Sequence, residues 1–472
     1  MDLHEFRRYA HEIVDWMADY LENIEKYPVM AQVRPKEIMN QLPPDPPQKS
    51  ESFEQILADF EKVILPGVTH WQHPSFFAYF PANSSPPSVL AEMLTATLGA
   101  QCMIWQTSPA ATELEERVLS WLGKMIGLPP DFVGVIQDTA STATLCSILT
   151  AREKAFNYSI NAKGMNDKGI LTTYCSTETH SSIEKSVKIA GLGKEYLRKI
   201  PVDENYAMIP EELEAAIESD LSKGYHPICI VATLGTTSST AIDPLRKIGE
   251  ICAKYNVWLH VDAAFAGNAL LLPELRWMID GIEYADSFVF NPHKWMFTNF
   301  DCSAYFVKDP GALIQTFEIL PEYLKTKEGD RVNNYRDWGI QLGRRFRALK
   351  LWFVIRHYGV EGLQQKVREH IRMAKDLTKK IEESEDFELL APVPLNTICF
   401  RYKPPGIDDT EQLNHMNEKL LERLNRTGKL YMTHTKLNGV YTLRFVIGQT
   451  YVKPRHVEQG WQLIKETAKS LD

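Results

Sequence analysis

The stretch Asp286-Ser-Phe-Val-Phe-Asn-Pro-His-Lys-Trp295 carries the strongest structural signal in this chain. Its apolar run, Phe288 to Phe290, predicts a short buried strand. Asn291-Pro292 ends that strand, because proline has no backbone N–H to donate to a sheet. His293 and Lys294 follow at once, so the sequence places a lysine at the end of a buried strand.

Aromatic neighbours make this lysine a candidate for chemistry. Trp295 and Phe297 flank Lys294, and apolar surroundings lower the pKa of an amine and make it a nucleophile toward a carbonyl. A Schiff-base lysine needs these conditions. A lysine taken at random lies on a surface loop, so this feature alone leaves both interpretations open.

Composition limits the class of protein. With 472 residues, of which 44% are hydrophobic, the chain can bury a large core in one large domain and one or two smaller ones. The net charge of -9 predicts no nucleic-acid partner. A charged N-terminal segment and the lack of a long apolar run predict no membrane span and a cytoplasmic protein. Seven cysteines without a C-x-x-C pair predict reduced core residues and no metal site.

Strand and helix patterns alternate from residue 133 onward. The predicted strands are 133–137, 170–175, 228–234, 257–262 and 287–290, and the predicted helices include one ending at 155, 182–190 and 244–255. This alternation predicts an α/β fold with a mainly parallel sheet covered by helices on both faces. Such sheets bind ligands beyond the carboxyl ends of their strands. Gln137, Thr236 with Thr237, Asp262 and the His293-Lys294 pair all lie at such ends, so we expect them to share one edge.

The turn after Gln137 is rich in hydroxyl groups, Asp138-Thr-Ala-Ser-Thr-Ala-Thr144. A strand-to-helix turn of this kind predicts a phosphate site, because a helix N-terminus offers unpaired amides and the positive end of a dipole. Serine and threonine are also ordinary helix caps, which is the alternative interpretation.

The two ends of the chain show different patterns. Residues 2–26 predict an amphipathic helix, and the proline-rich segment QLPPDPPQKSESF leads to a second helix near 52–65. These elements make a poor core alone, so we expect an arm that packs on a second subunit; packing on the same chain is the alternative. Helices near 344–358, 362–383 and 457–468, with strands near 397–402 and 441–446, predict a small α+β domain.

Together these features predict a pyridoxal phosphate site. Lys294 would hold the aldehyde as an imine, and Asp262 would keep the pyridine nitrogen protonated. Ala263 and Ala264 leave room for the ring against the backbone. Helix capping is the alternative role for Asp262. His180 follows a strand and could stack on the ring, with an ordinary core or cap histidine as the alternative.

Six motifs make the chain similar to the aromatic-L-amino-acid decarboxylases, which are group II pyridoxal phosphate decarboxylases of fold type I. The motifs are Asn291–Trp295, Asn299–Cys302, His260–Ala264, Thr179–Ser182, His73–Phe80 and Leu342–Arg347. The resemblance runs from the first helix to the last. It implies a seven-stranded-type sheet sandwiched by helices, an aromatic amino acid substrate and an obligate homodimer with swapped N-terminal arms. The implied domains are the arm 1–82, a cofactor-binding α/β domain 83–352 and a small α+β domain 353–472.

The resemblance also implies roles for individual residues. Lys294 would be the Schiff-base lysine, Asp262 the pyridine-nitrogen partner and His180 the stacking histidine. Tyr323 would protonate the carbon that has lost carbon dioxide, from a loop that closes over the substrate. Further implied cofactor contacts are Ala140, Ser141, Thr237, Ala264, Asn291 and His293. Implied substrate contacts are Trp71, Tyr79, Phe80, Pro81, Met103 and Gly343.

Three positions bear on the reaction and the substrate. Aldehyde synthases of this group typically have phenylalanine in place of the loop tyrosine, or asparagine in place of the stacking histidine. Tyr323 and His180 therefore favour decarboxylation to an amine over oxidative conversion to an aldehyde. Gly343 leaves room for an indole, which favours tryptophan, with phenylalanine, tyrosine and dihydroxyphenylalanine as alternatives. Ala82, Phe265 and the segment 101–105 depart from the common family pattern.

Overall fold

Seven strands form the larger sheet of the computed structural model, which describes residues 1–319 and 331–471. In spatial order they are β1 (Val133–Gln137), β7 (Ser303–Val307), β6 (Ser287–Phe290), β5 (Trp258–Asp262), β4 (His226–Thr233), β2 (Leu171–Ser176) and β3 (Leu197–Ile200). Within this sheet β7 runs antiparallel to both of its neighbours, and the other paired strands are parallel. The predicted mainly parallel sheet is confirmed.

Helices connect and cover these strands. Those before β4 are α1 (Leu3–Glu22), α2 (Glu37–Gln41), α3 (Phe53–Asp59), α4 (Pro86–Leu98), α5 (Pro109–Ile126), α6 (Ala140–Ala155), α7 (Ser159–Lys163), α8 (Ser182–Ile189) and α9 (Pro210–Ser222). Those after β4 are α10 (Leu245–Tyr255), α11 (Pro292–Trp295), α12 (Pro310–Phe317), α13 (Arg347–Glu382), α14 (Thr410–Arg426) and α15 (Pro454–Lys469). The bounds of α8 and α10 agree with the predicted ones to within one residue.

The core explains why the central strands form where they do. Every residue of β5 and β6 is buried, so these strands have apolar partners on both faces. Leu259, Val261, Phe288, Val289 and Phe290 are fully buried, which is typical of a parallel sheet between helical layers.

The carboxyl ends of six strands lie at one edge of the sheet. Strands β2 to β6 are parallel, and β1 points the same way because it and β6 are both antiparallel to β7. Asp262 stands opposite Val289 in the register of β5 with β6. The predicted shared edge is therefore present, and it holds the end of β5 next to the start of α11.

The chain divides into two compact units. One comprises Met1–Pro81, Asp376–Leu390 and Phe400–Asp472, and the other comprises Ala82–Lys375 and Ala391–Cys399. The predicted division into an arm, a large domain and a small domain stays a prediction.

The predicted C-terminal strands and helices are present. A second sheet has the order β10 (Thr433–Leu437), β11 (Val440–Val446), β9 (Thr397–Tyr402) and β8 (Phe387–Leu389). Helix α14 and strands β8 and β10 were not predicted. Two helices were predicted where α13 stands, and its backbone leaves helical geometry at Gly359, with φ 66°. Glycine accepts this left-handed conformation without a Cβ clash, so the interruption has a local cause.

All seven cysteines are free and buried, which confirms that they are reduced core residues. Across residues 1–319 and 331–471, the helices are too short or too polar to cross a membrane.

Candidate active site

Lys294 lies in the short helix α11, which starts immediately after β6 with Pro292 in its first turn. The amide of Asn291 donates to the carbonyl of Ala264 at 2.9 Å, and the amide of Lys294 donates to the carbonyl of Asn291 at 2.9 Å. Burial lowers the pKa of Lys294, and the charge of Asp262 acts in the opposite direction. The structure thus gives the lysine the desolvated amine that the sequence predicts.

Asp262 ends β5 and is only 5% exposed. Its Oδ1 accepts a hydrogen bond from the amide of Ala264 at 3.0 Å. The carboxylate charge acts to raise the pKa of both Lys294 and His180. A buried anion therefore stands within electrostatic reach of the other two groups, which come from different strand ends.

His180 follows β2 and completes this cluster. Its Nδ1 accepts from the amide of Ser182 at 3.1 Å, so the neutral ring has its proton on Nε2. Burial lowers the pKa of His180, the charge of Asp262 opposes that shift, and the charge of Lys294 adds to it. Lys294, Asp262 and His180 are thus brought together, although 114 residues separate the first and the last in sequence.

The hydroxyl-rich turn leads into α6, whose first residue is Ala140. Thr139 caps this helix, because its Oγ1 accepts from the amide of Thr142 at 3.4 Å. Within the described part of the chain, the amides of Ala140 and Ser141 have no hydrogen-bond acceptor. Two unpaired amides at the positive end of a helix of 16 residues fit a phosphate group.

Two buried neutral side chains lie at the start of α11. Asn291 Oδ1 accepts from the Ser303 hydroxyl at 2.6 Å, and His293 Nδ1 accepts from the amide of Cys302 at 2.9 Å. Burial lowers the pKa of His293 to about 3, so its ring is neutral with the proton on Nε2. Both side chains therefore retain an N–H group that can donate to an anion.

Sequence reasoning missed the part that Asp138 plays in this turn. Its carboxylate accepts from the amide of Thr139 at 2.6 Å and from Gln341 Nε2 at 2.9 Å. Burial works against the charged form, but hydrogen bonds from Thr142, Thr139 and Gln341 lower the pKa of Asp138. The segment around Gln341 is therefore fastened to the turn. An aspartate among threonines looks like a helix cap in sequence, so no local signal reveals this distant partner.

Gly343 follows two residues later and faces the segment that contains Met103. A Cβ atom at Gly343 would lie 3.3 Å from Gln101 Nε2, which is tighter than ordinary contact. Gln101 Oε1 accepts from the amide of Arg344 at 2.7 Å, and the carbonyl of Met103 accepts from the amide of Arg336 at 3.0 Å. Gly343 therefore lies beside the Gln101 side chain, which is held by its own hydrogen bond, and a larger residue at position 343 would crowd it.

The other predicted substrate residues lie in the other compact unit. Trp71 stacks on Tyr79 with ring centroids 5.7 Å apart, and the guanidinium of Arg444 lies 5.5 Å from the ring centre of Phe80. Pro81 is buried.

Two further predicted site residues remain. Thr237 is exposed after β4. Tyr323 lies outside the described residues.

The class of protein follows from these features. A mainly parallel seven-stranded sheet places a lysine of lowered pKa, a buried carboxylate and a histidine at one edge, beside a helix N-terminus with unpaired amides. These groups match the parts of pyridoxal phosphate: the lysine can bind its aldehyde, the carboxylate its ring nitrogen and the amides its phosphate. The fold and the donor set define a pyridoxal phosphate enzyme of fold type I.

Comparison with known proteins identifies the family. The model of the pyridoxal-dependent decarboxylase conserved domain matches residues 35–403. Tyrosine decarboxylase 4 of Petroselinum crispum is 44% identical over 480 residues, which is 99% of this chain and 94% of the relative. Phenylacetaldehyde synthase of Arabidopsis thaliana is 44% identical over 481 residues, 100% of this chain and 97% of the relative. The crystal structure of Oryza sativa TDC with PLP and tryptamine has a TM-score of 0.97 at 36% identity, covering 100% of this chain and 99% of that one.

This chain therefore belongs to the pyridoxal-dependent decarboxylases, and its cofactor is pyridoxal 5'-phosphate. The resemblance inferred from the six sequence motifs is confirmed at the level of family, fold and cofactor.

Proposed function

We propose that this enzyme decarboxylates aromatic L-amino acids to the corresponding arylalkylamines, with tryptophan as the favoured substrate. The observation that supports this most directly is the cluster of Lys294, Asp262 and His180 at one sheet edge in a member of the decarboxylase family. Its relatives include a tyrosine decarboxylase and a structure that contains tryptamine.

Each member of the cluster has a chemical task. Bound pyridoxal phosphate supplies a ring that accepts the electron pair left behind when carbon dioxide departs. Lys294 is the amine that binds the cofactor aldehyde, and its lowered pKa keeps a larger fraction unprotonated and nucleophilic. Asp262 holds a proton on the ring nitrogen, because a buried carboxylate favours a neighbouring positive charge. His180 would stack on the cofactor ring, and the small side chain of Ala264 would leave room for it.

The phosphate group is held by neutral donors. Two donors are the amides of Ala140 and Ser141 at the N-terminus of α6, and Asn291 and His293 add side-chain N–H groups. Burial lowers the pKa of His293 to about 3, so in the cofactor-free protein its ring is a neutral N–H donor.

Other residues handle the substrate. Tyr323 would supply the proton that the substrate carbon takes up after carbon dioxide departs, and Thr237 would lie near the substrate carboxylate. Met103, which lies in the same compact unit as Lys294, would contact the aromatic ring of the substrate.

The ring preference rests on Gly343. A Cβ atom there would lie 3.3 Å from Gln101 Nε2, and the family resemblance assigns Gly343 to a position where a small residue leaves room for a wide ring. This supports tryptophan over phenylalanine, tyrosine and dihydroxyphenylalanine, which remain alternative substrates.

The direct test is incubation of the purified holoenzyme with L-tryptophan under air, with tryptamine, hydrogen peroxide and ammonia measured together. We expect one tryptamine for each carbon dioxide released and no matching peroxide. Parallel rates with phenylalanine, tyrosine, dihydroxyphenylalanine and histidine give the ring preference. Faster turnover of histidine than of every aromatic amino acid in the panel would exclude the proposed substrate class.

Oxidative conversion to an aldehyde is the second candidate, because phenylacetaldehyde synthase is as similar to this chain as the tyrosine decarboxylase. Peroxide and ammonia in equal amounts, with little amine, would establish it. The presence of Tyr323 and His180 supports the amine-forming reaction.

We also propose a cytoplasmic homodimer with a swapped arm at residues 1–82. Seven buried free cysteines are typical of a reducing compartment. Phe6 on α1 is 54% exposed, although the sequence assigns it to the apolar face of that helix. On α4, Leu90, Leu94 and Leu98 recur every four residues and are 51%, 48% and 63% exposed, which forms an apolar stripe on one helix face.

Charge on this stripe should break the dimer. We expect Leu94→Glu to shift sedimentation from dimer to monomer at micromolar concentration, because the glutamate would have to be desolvated in the interface. Ile189→Glu on α8 is the matched control, since Ile189 is exposed at 63% and lies outside the stripe. A dimer that survives Leu94→Glu unchanged would remove α4 from the interface.

A further inference from the structure

Trp295 directly follows the cofactor lysine and is fixed by a residue distant in sequence. Its side chain is fully buried, and Nε1–H donates to His370 Nδ1 on α13 at 2.9 Å. The indole nitrogen can only donate, so His370 Nδ1 must be an acceptor and the imidazole proton must be on Nε2. Burial, with a contribution from the charge of Lys366, lowers the pKa of His370 to about 3, which keeps the ring in this neutral form.

Two rings beside Trp295 lie nearly parallel to its indole. Phe265 stacks on one side with centroids 4.9 Å apart and planes 9° apart. His370 lies 6.3 Å from the indole with an angle of 7°. Phe265 follows Ala264, whose amide donates to Asp262. The stack therefore connects the turn after Asp262, the helix with Lys294 and the long helix α13.

Helix α11 has only four residues, so its own backbone hydrogen bonds fix it poorly. Asn83 Nδ2 donates to the carbonyl of Lys294 at 2.8 Å, and the side chain of Trp295 fixes the C-terminal end of the helix. The one polar atom of that side chain has a single partner, His370. We propose that His370 is a positioning residue for Lys294, which acts through the indole of Trp295.

This inference rests on the proposed role of Lys294 and extends it to a residue that does not touch the cofactor. Loss of the acceptor would leave the indole N–H buried without a partner, and the ring would turn toward another acceptor. In this close-packed site we expect the backbone of Trp295 to shift with its ring, and the shared peptide bond would then change the direction of Lys294 relative to Asp262.

Two substitutions at one position separate the hydrogen bond from packing. His370→Asn retains an acceptor, since Oδ1 of asparagine takes nearly the place of Nδ1, whereas His370→Leu keeps bulk and removes it. We expect His370→Leu to weaken retention of pyridoxal phosphate about tenfold and His370→Asn to stay close to the parent. The measurements are cofactor titration by the visible band and the fraction of chain fixed at Lys294 by borohydride, with thermal unfolding recorded alongside.

His456→Leu is a control for general destabilisation. His456 is also buried, and its Nδ1 also accepts a hydrogen bond, here from the backbone amide of Lys453 at 2.9 Å, but it belongs to the other compact unit. We expect it to lower the unfolding temperature without changing the cofactor titration. If His370→Leu also changes only stability, the proposal is wrong.

A double-mutant cycle gives a second test, and its Trp295→Phe variant alone covers the case in which His370→Leu does not fold. Trp295→Phe keeps an aromatic ring in the stack and removes the donor, so it should weaken cofactor retention as His370→Leu does. Combining the two changes should add little to either one. Additive effects, or a Trp295→Phe chain with unchanged retention, would overturn the proposal. A parent chain with no cofactor fixed at Lys294 would instead contradict the proposed function.

Discussion

Replacing Lys294 by alanine should abolish covalent cofactor attachment and reduce decarboxylation by at least about 10³-fold, as expected when a covalent catalyst is removed. In the parent chain, the amine has a lowered pKa and lies near the buried Asp262 carboxylate. Alanine leaves the sheet, the helix N-terminus and Asp262 unchanged. The cofactor should therefore still bind weakly and be lost on dialysis. Borohydride reduction followed by peptide mass spectrometry measures the attachment.

Lys350→Met is the matched control for this prediction. Lys350 is the rival amine, because it is 1% exposed and burial lowers its pKa to about 8. Its Nζ lies 3.1 Å from a carboxylate oxygen of Glu92, so an ion pair explains why this lysine is buried. Lys350→Met should keep the borohydride-fixed cofactor at Lys294. A cofactor fixed at Lys350 in the parent, or amine production by Lys294→Ala near the parent rate, would refute the role given to Lys294.

Elements with strong local periodicity could be predicted from sequence. α8 and α10 have one buried face each, and β5 and β6 are short apolar runs closed by polar residues. The sequence also predicted that the site residues share one edge of the sheet, because parallel strands point the same way. Strand β3 was not recognised, since Leu197-Arg-Lys-Ile200 has two charged residues in four and gains its pairing from β2.

The site contacts that were missed are long-range. Asp138 with Gln341, Asn291 with Ser303 and Trp295 with His370 are separated by 203, 12 and 75 residues. Each joins residue types that are common as caps or core members, so nothing in the sequence marks the pair. By contrast, Asp262 and Lys294 follow neighbouring parallel strands, and topology alone brings them together.

Asp262→Asn should reduce decarboxylation by at least about 10²-fold, because asparagine cannot stabilise a proton on the pyridine nitrogen. Asparagine Oδ1 can still accept from the amide of Ala264, which Asp262 contacts at 3.0 Å, so the turn should keep its shape. The carboxylate acts to raise the pKa of Lys294 and His180. Its removal should lower the pKa of both. Amine-specific labelling of cofactor-free protein as a function of pH measures this shift for Lys294.

Asp286→Asn provides the comparison. Asp286 comes directly before β6, whereas Asp262 is the last residue of β5. Its Oδ2 accepts from the amide of Leu259 at 2.8 Å, so it has a similar backbone contact at the opposite end of the strands. Asp286→Asn should change stability but neither the labelling curve of Lys294 nor the amine yield per bound cofactor. Equal losses in the two variants would mean that Asp262 acts through the fold. If only Asp262→Asn loses activity and Lys294 titrates at lower pH in that variant, the effect is due to the charge of Asp262. The two substitutions are otherwise alike, because each removes one carboxylate, at opposite ends of the strands.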